Sequence, residues 1–188
     1  MASIGGADTA HQMSRELTRI VLTGSESVGK TTLGLQLAAR YGLTCVPEFV
    51  RDYAAAKGAP LDDGDHGPIA TGQMAREDAH IAAAIARSDT LLLQDTDLIS
   101  TVVYCHHYFG RCPAFIEQAA MARRAAHYLL LEIDVPWIAD GIRDREARRV
   151  DVQTLFRNTL ARFDAPVTVV QGTWETRFAT AAALIDAL

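Results

Sequence analysis

The sequence has few cysteines and no long apolar run, and each deficit excludes a class of protein. Its three cysteines, Cys45, Cys105 and Cys112, show no C-x-x-C spacing. Neither a disulfide framework nor a structural zinc site is therefore expected, and a reducing cytoplasm is the predicted location. No stretch approaches the roughly 18 uninterrupted apolar residues that predict a membrane-spanning helix, so we expect no membrane association.

Basic residues are also scarce relative to acidic ones. The chain has 18 Lys and Arg against 23 Asp and Glu, a net charge of -5. This balance disfavours nucleic acids and anionic membranes as partners. An anionic small molecule would have to meet a local positive site. What remains is a chain of 188 residues that is 49% hydrophobic, which is ordinary for one globular domain with a substantial core.

Short apolar segments alternate with longer segments of helical periodicity. The predicted strands are residues 19–23, 44–47, 90–94, 128–133 and 167–170, and the predicted helices are residues 30–41, 69–88, 113–127, 144–163 and 173–188. This alternation predicts an α/β fold, a three-layer sandwich in which a five-stranded parallel sheet carries helices on both faces. Ligands of such folds bind at the carboxyl ends of the strands. The glycine-rich residues 57–67 are predicted to form a mobile surface loop.

A phosphate-binding motif follows the first predicted strand and opens the first helix. Residues 24–31 read GSESVGKT and match G-x-x-x-x-G-K-[ST] in the strand-loop-helix context that this motif requires. The glycines let backbone N–H groups face phosphate oxygens, the lysine neutralises the terminal phosphates, and the threonine hydroxyl serves Mg²⁺. The motif predicts ATP and Mg²⁺ as cofactors, and the predicted nucleotide-binding residues are Gly24, Ser27, Val28, Gly29, Lys30, Thr31 and Thr32.

The motif identifies the fold as that of a P-loop NTPase and sets the domain boundaries that we predict. Residues 1–17 are expected to form a flexible tail, and residues 18–188 one P-loop kinase domain. No repeat or low-complexity segment suggests a further unit.

Three carboxylates follow predicted strands and are candidates for metal binding and catalysis. Asp95 ends the LLLQD run and is placed as the second metal-binding residue beside Thr31. Asp97 lies two positions later, on the same side of an extended chain, and could serve the metal or a substrate hydroxyl. Glu48 follows the second strand and is the first candidate for the base that takes the acceptor proton, with Asp97 second. The alternative for Glu48 is an ordinary surface pair with Arg51.

Arginines cluster in residues 140–149, DGIRDREARR, after a glycine. Arg143 and Arg145 are predicted to belong to a lid that closes over ATP, excludes water and stabilises transition-state charge. Arg148 or Arg149 is expected on a solvated helix face. Trp174, after the last strand, is predicted to border the adenine. The aromatic residues 104–109 could stack on a flat heteroaromatic substrate or pack in the core.

Several segments together resemble the nicotinamide riboside kinase domain of the bifunctional bacterial NAD-biosynthesis regulators. In chain order they are GSESVGKTT, PEFVRDY, DTDLISTVVY, HHYFGRCP, DVPWIADGIRDR and GTWETR, from about residue 19 to residue 177. The resemblance implies transfer of phosphate from ATP to the ribosyl 5′-hydroxyl of nicotinamide riboside. It also implies that Lys30 and Thr31 bind phosphates, Asp95 the metal, and Arg143 and Arg145 form the lid. The adenylyltransferase and DNA-binding portions have no counterpart in this sequence.

Two other functions remain open at this stage. One is a kinase of another nucleoside-like alcohol. The other is a nucleotide-binding switch with lipid or protein partners, because some eukaryotic proteins similar to this family bind GTP and phosphoinositides. A guanine-reading N-K-x-D motif is absent, since Asn158 is the only asparagine in the chain. The sequence is compatible with homo-oligomers.

Overall fold

The structure is a computed structural model that describes residues 17–136 and 148–188. The strands within these residues are β1 (Thr18–Thr23), β2 (Cys45–Val46), β3 (Leu91–Asp95), β4 (His127–Leu131) and β5 (Val167–Val170). The helices are α1 (Lys30–Tyr41), α2 (Phe49–Lys57), α3 (His66–Ala86), α4 (Leu98–Phe109), α5 (Ala114–Ala122), α6 (Arg149–Arg162) and α7 (Trp174–Asp186), with a short 3-10 helix at Asp63–Asp65. The predicted tail lies outside the described residues, apart from Leu17.

The strands form one parallel sheet in the order β2-β3-β1-β4-β5. β1 lies at its centre, next to β3, with Leu22 opposite Asp95. The segments that follow these two strands therefore emerge side by side at the carboxyl edge of the sheet. This position is where an open parallel sheet binds its ligands.

Alternate residues of β1 point to opposite faces, and each face is covered by helices. Val21 packs in a core with α4, α5 and α6, whereas Ile20 and Leu22 pack against α1 and α7. The three-layer α/β architecture with a five-stranded parallel sheet is confirmed. Among the described residues, no helix is long and apolar enough to cross a membrane.

Two helices and one ordered turn differ from the sequence expectations. α2 and α4 were not predicted. Residues 98–105 of α4 are apolar or small almost throughout and, apart from the intermediate Thr101, buried, so no apolar stripe marks the helix. The predicted loop at residues 57–67 is ordered in part, because the Asp62 side chain accepts from Gly64 N and the Asp65 side chain accepts from Asp62 N. This capping box starts the 3-10 helix that leads into α3.

Candidate active site

The phosphate loop, residues 24–31, leaves no space for side chains at its two glycines. Gly24 has φ 128°, and a Cβ there would lie 2.7 Å from the Leu131 carbonyl oxygen. Gly29 has φ 87°, and a Cβ there would overlap the ring of Trp174. Both angles favour glycine. The loop backbone thus approaches β4 on one side and the start of α7 on the other.

Three buried cations bind backbone carbonyls of the phosphate loop. Lys30 Nζ donates to the carbonyls of Gly24 (3.0 Å) and Ser25 (2.7 Å). Arg149 Nη2 donates to Ser27 O at 3.0 Å, and Arg177 Nη1 donates to Val28 O at 3.1 Å. These bonds hold the carbonyls of the loop and place positive charge beside it. Positive charge is therefore concentrated beside the loop in a chain of net negative charge.

The first turns of α6 hold the phosphate loop through two residues that the sequence analysis did not select. Gln153 Oε1 accepts from Ser25 N at 3.0 Å, and its amide donates to Leu131 O at 2.9 Å. Arg149 also donates to Val135 O at 2.9 Å. A solvated helix face was expected for Arg148 or Arg149, and the structure has Arg148 exposed and Arg149 buried. The helical periodicity of residues 144–163 predicted a buried face. It did not indicate that polar residues on this face would bind the phosphate loop.

Arg177 in α7 is fully buried and joins the phosphate loop to the end of β4. Besides Val28 O, its guanidinium donates to Glu132 O at 2.9 Å and to the Asp134 carboxylate. It also lies 5.5 Å from the centroid of the Trp174 ring. Sequence reasoning selected this segment for Trp174 and missed Arg177, although a fully buried arginine requires several acceptors and is seldom incidental.

Other predicted nucleotide-binding residues occupy the same corner of the molecule. Ser27 has a left-handed φ of 54°, Val28 is buried, and Thr32 is exposed on α1. Trp174 is 42% exposed and lies against Gly29. Its contact with an adenine stays a prediction.

Thr31 and Asp95 meet at the carboxyl edge of the sheet, as the motif analysis predicted. Thr31 Oγ1 donates to Asp95 Oδ2 at 2.5 Å. The other carboxylate oxygen, Oδ1, is buried and has no hydrogen-bond partner within the described part of the chain. Burial raises the pKa of Asp95, and the Lys30 charge opposes this shift. A hydroxyl beside an unsatisfied carboxylate oxygen fits Mg²⁺, which takes one or two protein oxygens together with phosphates and water.

Asp97 is the N-cap of α4 and is buried. Its Oδ1 accepts from Ile99 N at 2.9 Å and its Oδ2 accepts from the Tyr128 hydroxyl at 2.7 Å. Burial raises its pKa, which these hydrogen bonds oppose. The sequence analysis assumed that the chain stays extended from Asp95 to Asp97, with both side chains on one side. The chain does not stay extended, because Thr96 has a left-handed φ of 70°. Asp97 caps α4 in the structure. Its predicted role as the base, or as a residue that binds a substrate hydroxyl, stays a prediction.

A cavity of about 420 Å³ opens beside these carboxylates. It is lined by Glu48, Val50, Pro60, Leu61, His66, Ile69, Gln73, Thr96, Asp97, Ser100, Thr101, Tyr104, Tyr108 and Phe109. Most of these residues come from α2, α3 and α4, so the two helices that sequence reasoning missed supply much of its wall. Its volume is in the range of small-molecule sites.

Glu48 is the N-cap residue of α2 and lies in the wall of this cavity. It is only 6% exposed, and its Oε2 pairs with Arg51 Nε at 3.1 Å. The Arg51 pair that was weighed as an alternative is therefore present, and it joins the exposed Arg51 to the buried Glu48, which lines the cavity. The Glu48 charge also contributes to raising the pKa of Asp95. Arg143 and Arg145, which were predicted to belong to a lid, lie outside the described residues.

A family model described as an AAA domain matches residues 19–177. The chain belongs to this AAA domain family. Curated relatives are the trifunctional NAD biosynthesis/regulator proteins NadR of Salmonella typhimurium and Escherichia coli, each 31% identical over 128 residues. The match covers 66% of this chain and 30% of each relative, so this chain matches less than a third of the length of those proteins. The resemblance found in the sequence is confirmed.

Solved structures place this AAA domain among P-loop kinase folds. A NadR protein in complex with NR has a TM-score of 0.76 at 23% identity, and NadR in complex with NAD and AMP-PNP has 0.74 at 24%. Each alignment covers 91% of this chain and about half of the other, 50% and 49% respectively. Thymidylate kinase from Ehrlichia chaffeensis has 0.66 at 15%, covering 92% of this chain and 100% of the kinase. The predicted fold class is confirmed.

Proposed function

We propose that this chain is an ATP-dependent kinase that phosphorylates nicotinamide riboside to nicotinamide mononucleotide. Its relatives are named for NAD biosynthesis, and the similar NadR structures hold NR in one case and NAD with AMP-PNP in the other. This chain spans about half or less of the length of those proteins, so support for the activity must come from the residues of this chain.

One observation carries the proposal: a phosphate loop and a separate small-molecule cavity meet at one edge of the sheet. Asp95 accepts from Thr31 of the phosphate loop, and the next two residues, Thr96 and Asp97, line the cavity together with Glu48. A phosphoryl donor and an alcohol acceptor need this side-by-side placement, because transfer depends on positioning and charge stabilisation. A nucleotide-binding switch has no need of a second cavity there.

On the donor side, the loop N–H groups and Lys30 bind the triphosphate, and Arg149 and Arg177 hold the loop in shape. Thr31 and Asp95 would hold Mg²⁺, which neutralises charge on the phosphates. In the proposed lid, Arg143 and Arg145 add positive charge and exclude water. Trp174 lies beside Gly29, where it would contact the nucleotide.

On the acceptor side, Glu48 would take the proton from the 5′-hydroxyl as that oxygen bonds to the γ-phosphorus and ADP leaves. Glu48 lines the cavity, and its carboxylate pairs with Arg51. A base in this position acts only within hydrogen-bond reach of the hydroxyl. Asp97 is the second candidate, although both of its oxygens already accept hydrogen bonds.

The charge of the cavity favours a cationic riboside. Its wall contains Glu48, which pairs with Arg51 outside the wall, Asp97, and the aromatic residues Tyr104, Tyr108 and Phe109, and none of its described lining residues is a lysine or arginine. Aromatic faces and carboxylates attract a positively charged ring. Nicotinamide riboside carries a pyridinium cation, whereas ordinary nucleosides are neutral.

A substrate panel tests the proposal. Purified protein with Mg-ATP should convert nicotinamide riboside to nicotinamide mononucleotide, measured by liquid chromatography, with at least tenfold higher kcat/KM than for uridine, cytidine or adenosine. Glu48→Gln should lower kcat much more than it raises KM. Preference for a neutral nucleoside would replace the proposed acceptor. No turnover on any riboside, together with tight GTP binding, would favour a switch.

Two further properties belong to the proposal. The enzyme is expected to act in the cytoplasm on small molecules, as the cysteine content and net charge predict. Homo-oligomerisation stays a prediction, which sedimentation analysis of the purified chain would test.

A further inference from the structure

A buried carboxylate, Glu26, is part of the phosphate loop itself. It is only 2% exposed. A negative charge within a loop that binds a triphosphate opposes the ligand, and burial of an ionised carboxylate costs free energy unless hydrogen bonds compensate. The proposed chemistry gives Glu26 no direct role. The residue therefore requires an explanation from its partners.

The partners of Glu26 connect the phosphate loop to the acceptor cavity. Its Oε2 accepts from Ser25 Oγ at 3.1 Å within the loop and from the Tyr104 hydroxyl at 3.2 Å, 78 residues further along the chain. Tyr104 belongs to α4 and lines the cavity. A single side chain thus has its ring at the acceptor site and its hydroxyl on the donor loop.

The ring of Tyr104 packs between two other aromatic rings. It stacks on Tyr108, another cavity residue, with ring centroids 5.9 Å apart and planes at 16°, and it meets the edge of Phe156 at 5.9 Å. Tyr104 is 7% exposed. The ring and hydroxyl of Tyr104 form one rigid group, so a ligand that packs against Tyr104 in the cavity also acts on the hydroxyl that Glu26 accepts from.

We propose that Tyr104 and Glu26 are positioning residues that couple occupation of the acceptor cavity to the conformation of the phosphate loop. This inference rests on the proposed function. A riboside that fixes Tyr104 fixes the Glu26 carboxylate, and the loop is then held in its nucleotide-binding conformation. Because such coupling is reciprocal, the nucleotide strengthens riboside binding by the same factor.

Calorimetric titration measures this coupling directly. The dissociation constant of Mg-AMP-PNP is determined with and without saturating nicotinamide riboside, for the wild-type chain, Tyr104→Phe and Tyr108→Phe. We expect the riboside to tighten nucleotide binding about fivefold or more in the wild-type chain, as is typical of coupled sites. Tyr104→Phe should reduce this factor to less than about twofold, as expected when a coupling path is lost. Tyr108→Phe also removes a cavity hydroxyl and should retain the wild-type factor.

Glu26→Gln tests the link from the other end. It should also reduce the coupling, and adding Tyr104→Phe should reduce it no further, since both changes break the same contact. A merely structural role would lower the melting temperature without removing the dependence of one ligand on the other. If Tyr104→Phe does not fold, Glu26→Gln alone decides.

The outcomes separate the coupling from the proposed function. If the wild-type chain binds both ligands independently, or if Tyr104→Phe retains the coupling, the coupling is wrong and the kinase proposal stands. Equal loss in Tyr108→Phe would show that the Glu26 contact is not responsible, which also overturns the inference. If Mg-AMP-PNP binds and nicotinamide riboside does not bind at all, the proposed substrate and the coupling are both wrong.

Discussion

The Thr31 hydroxyl donates to Asp95 Oδ2 across 64 residues of sequence, and the second oxygen of that carboxylate is buried without a partner among the described residues. A divalent cation held beside this pair would satisfy that oxygen. Asp95→Asn should therefore abolish the dependence of nucleotide affinity on Mg²⁺ and lower kcat by about 100-fold or more. Titration of ATP with and without Mg²⁺, followed by turnover measurements, tests this expectation.

Asp89→Asn is the matched control for this substitution. Asp89 precedes the same strand, at the opposite end of the sheet, and forms an exposed pair with Arg87. Exposed pairs contribute little to stability. Mg²⁺ dependence should be unchanged in this variant, and equal losses in both variants would contradict a metal role for Asp95.

Gly29→Ala tests how closely Trp174 packs on the phosphate loop. The new Cβ would overlap the Trp174 ring and would sit at φ 87°, which L residues avoid. We expect nucleotide binding to weaken at least tenfold and the melting temperature to fall. Replacing Trp174 by Ala in the same chain should restore part of the melting temperature, because it removes the overlap but not the strain.

Gly58→Ala separates the two causes. Gly58 also has a positive φ, 62°, but a Cβ there would meet nothing within 4 Å. It should cost only the backbone strain, roughly 1–2 kcal/mol. If Gly29→Ala behaves like Gly58→Ala in unfolding and nucleotide titrations, the Trp174 contact is not significant.

The fold could be predicted from the sequence because its signals are local. The apolar strands, the glycines of the loop and the helix at Lys30–Tyr41 follow from short segments. α4 could not, because a helix buried nearly all round has no polar face to reveal its period. Because α4 was not predicted, the cavity was not predicted either. Tyr104 and Tyr108 line the cavity only when they lie on this helix.

The site was predicted where residue type and spacing determine the chemistry, and missed where long-range packing does. Thr31 and Asp95 meet as their motifs indicate. Arg149 and Arg177 were not predicted to donate hydrogen bonds to the loop carbonyls. An arginine in a helix is usually solvated, and nothing in the local sequence distinguishes a buried arginine from an exposed one. Asp97 is a helix cap because Thr96 turns the chain, and that turn carries no sequence signature.

Arg149→Ala should loosen the phosphate loop. The change removes the bonds to Ser27 O and Val135 O and leaves those carbonyls without that donor. We expect ATP affinity to fall by about tenfold, with a smaller effect on the affinity for the riboside. Arg148→Ala changes the exposed neighbour and should leave ATP affinity within about twofold, as is usual for surface substitutions. Equal effects in isothermal titration would contradict the anchoring role of Arg149.

Glu77 in α3 gives the fold a dependence on pH. It is 1% exposed, accepts from Gln73 Nε2 at 3.0 Å and lies 3.4 Å from Arg123 Nε. Burial raises its pKa from 4.5 to about 7; the charge of Asp97 adds to this shift, and Gln73, Arg123 and Arg19 oppose it. Between pH 4.5 and about pH 7, Glu77 is therefore protonated in the folded state and ionised in the unfolded state. The contribution of Glu77 to the free energy of unfolding is fully present below pH 4.5 and is lost as the pH rises through about 7.

Glu77→Gln imitates the protonated carboxyl group and should remove that loss. The free energy of unfolding of the variant, minus that of the wild-type chain, should rise by about 2 kcal/mol between pH 5 and pH 8, because one pKa unit corresponds to roughly 1.4 kcal/mol. Urea unfolding at several pH values measures the difference. Glu175→Gln is the control, because the pKa of the exposed Glu175 is lowered and the group stays ionised over this range. A pH-independent difference for Glu77→Gln would show that Arg123 keeps Glu77 ionised throughout.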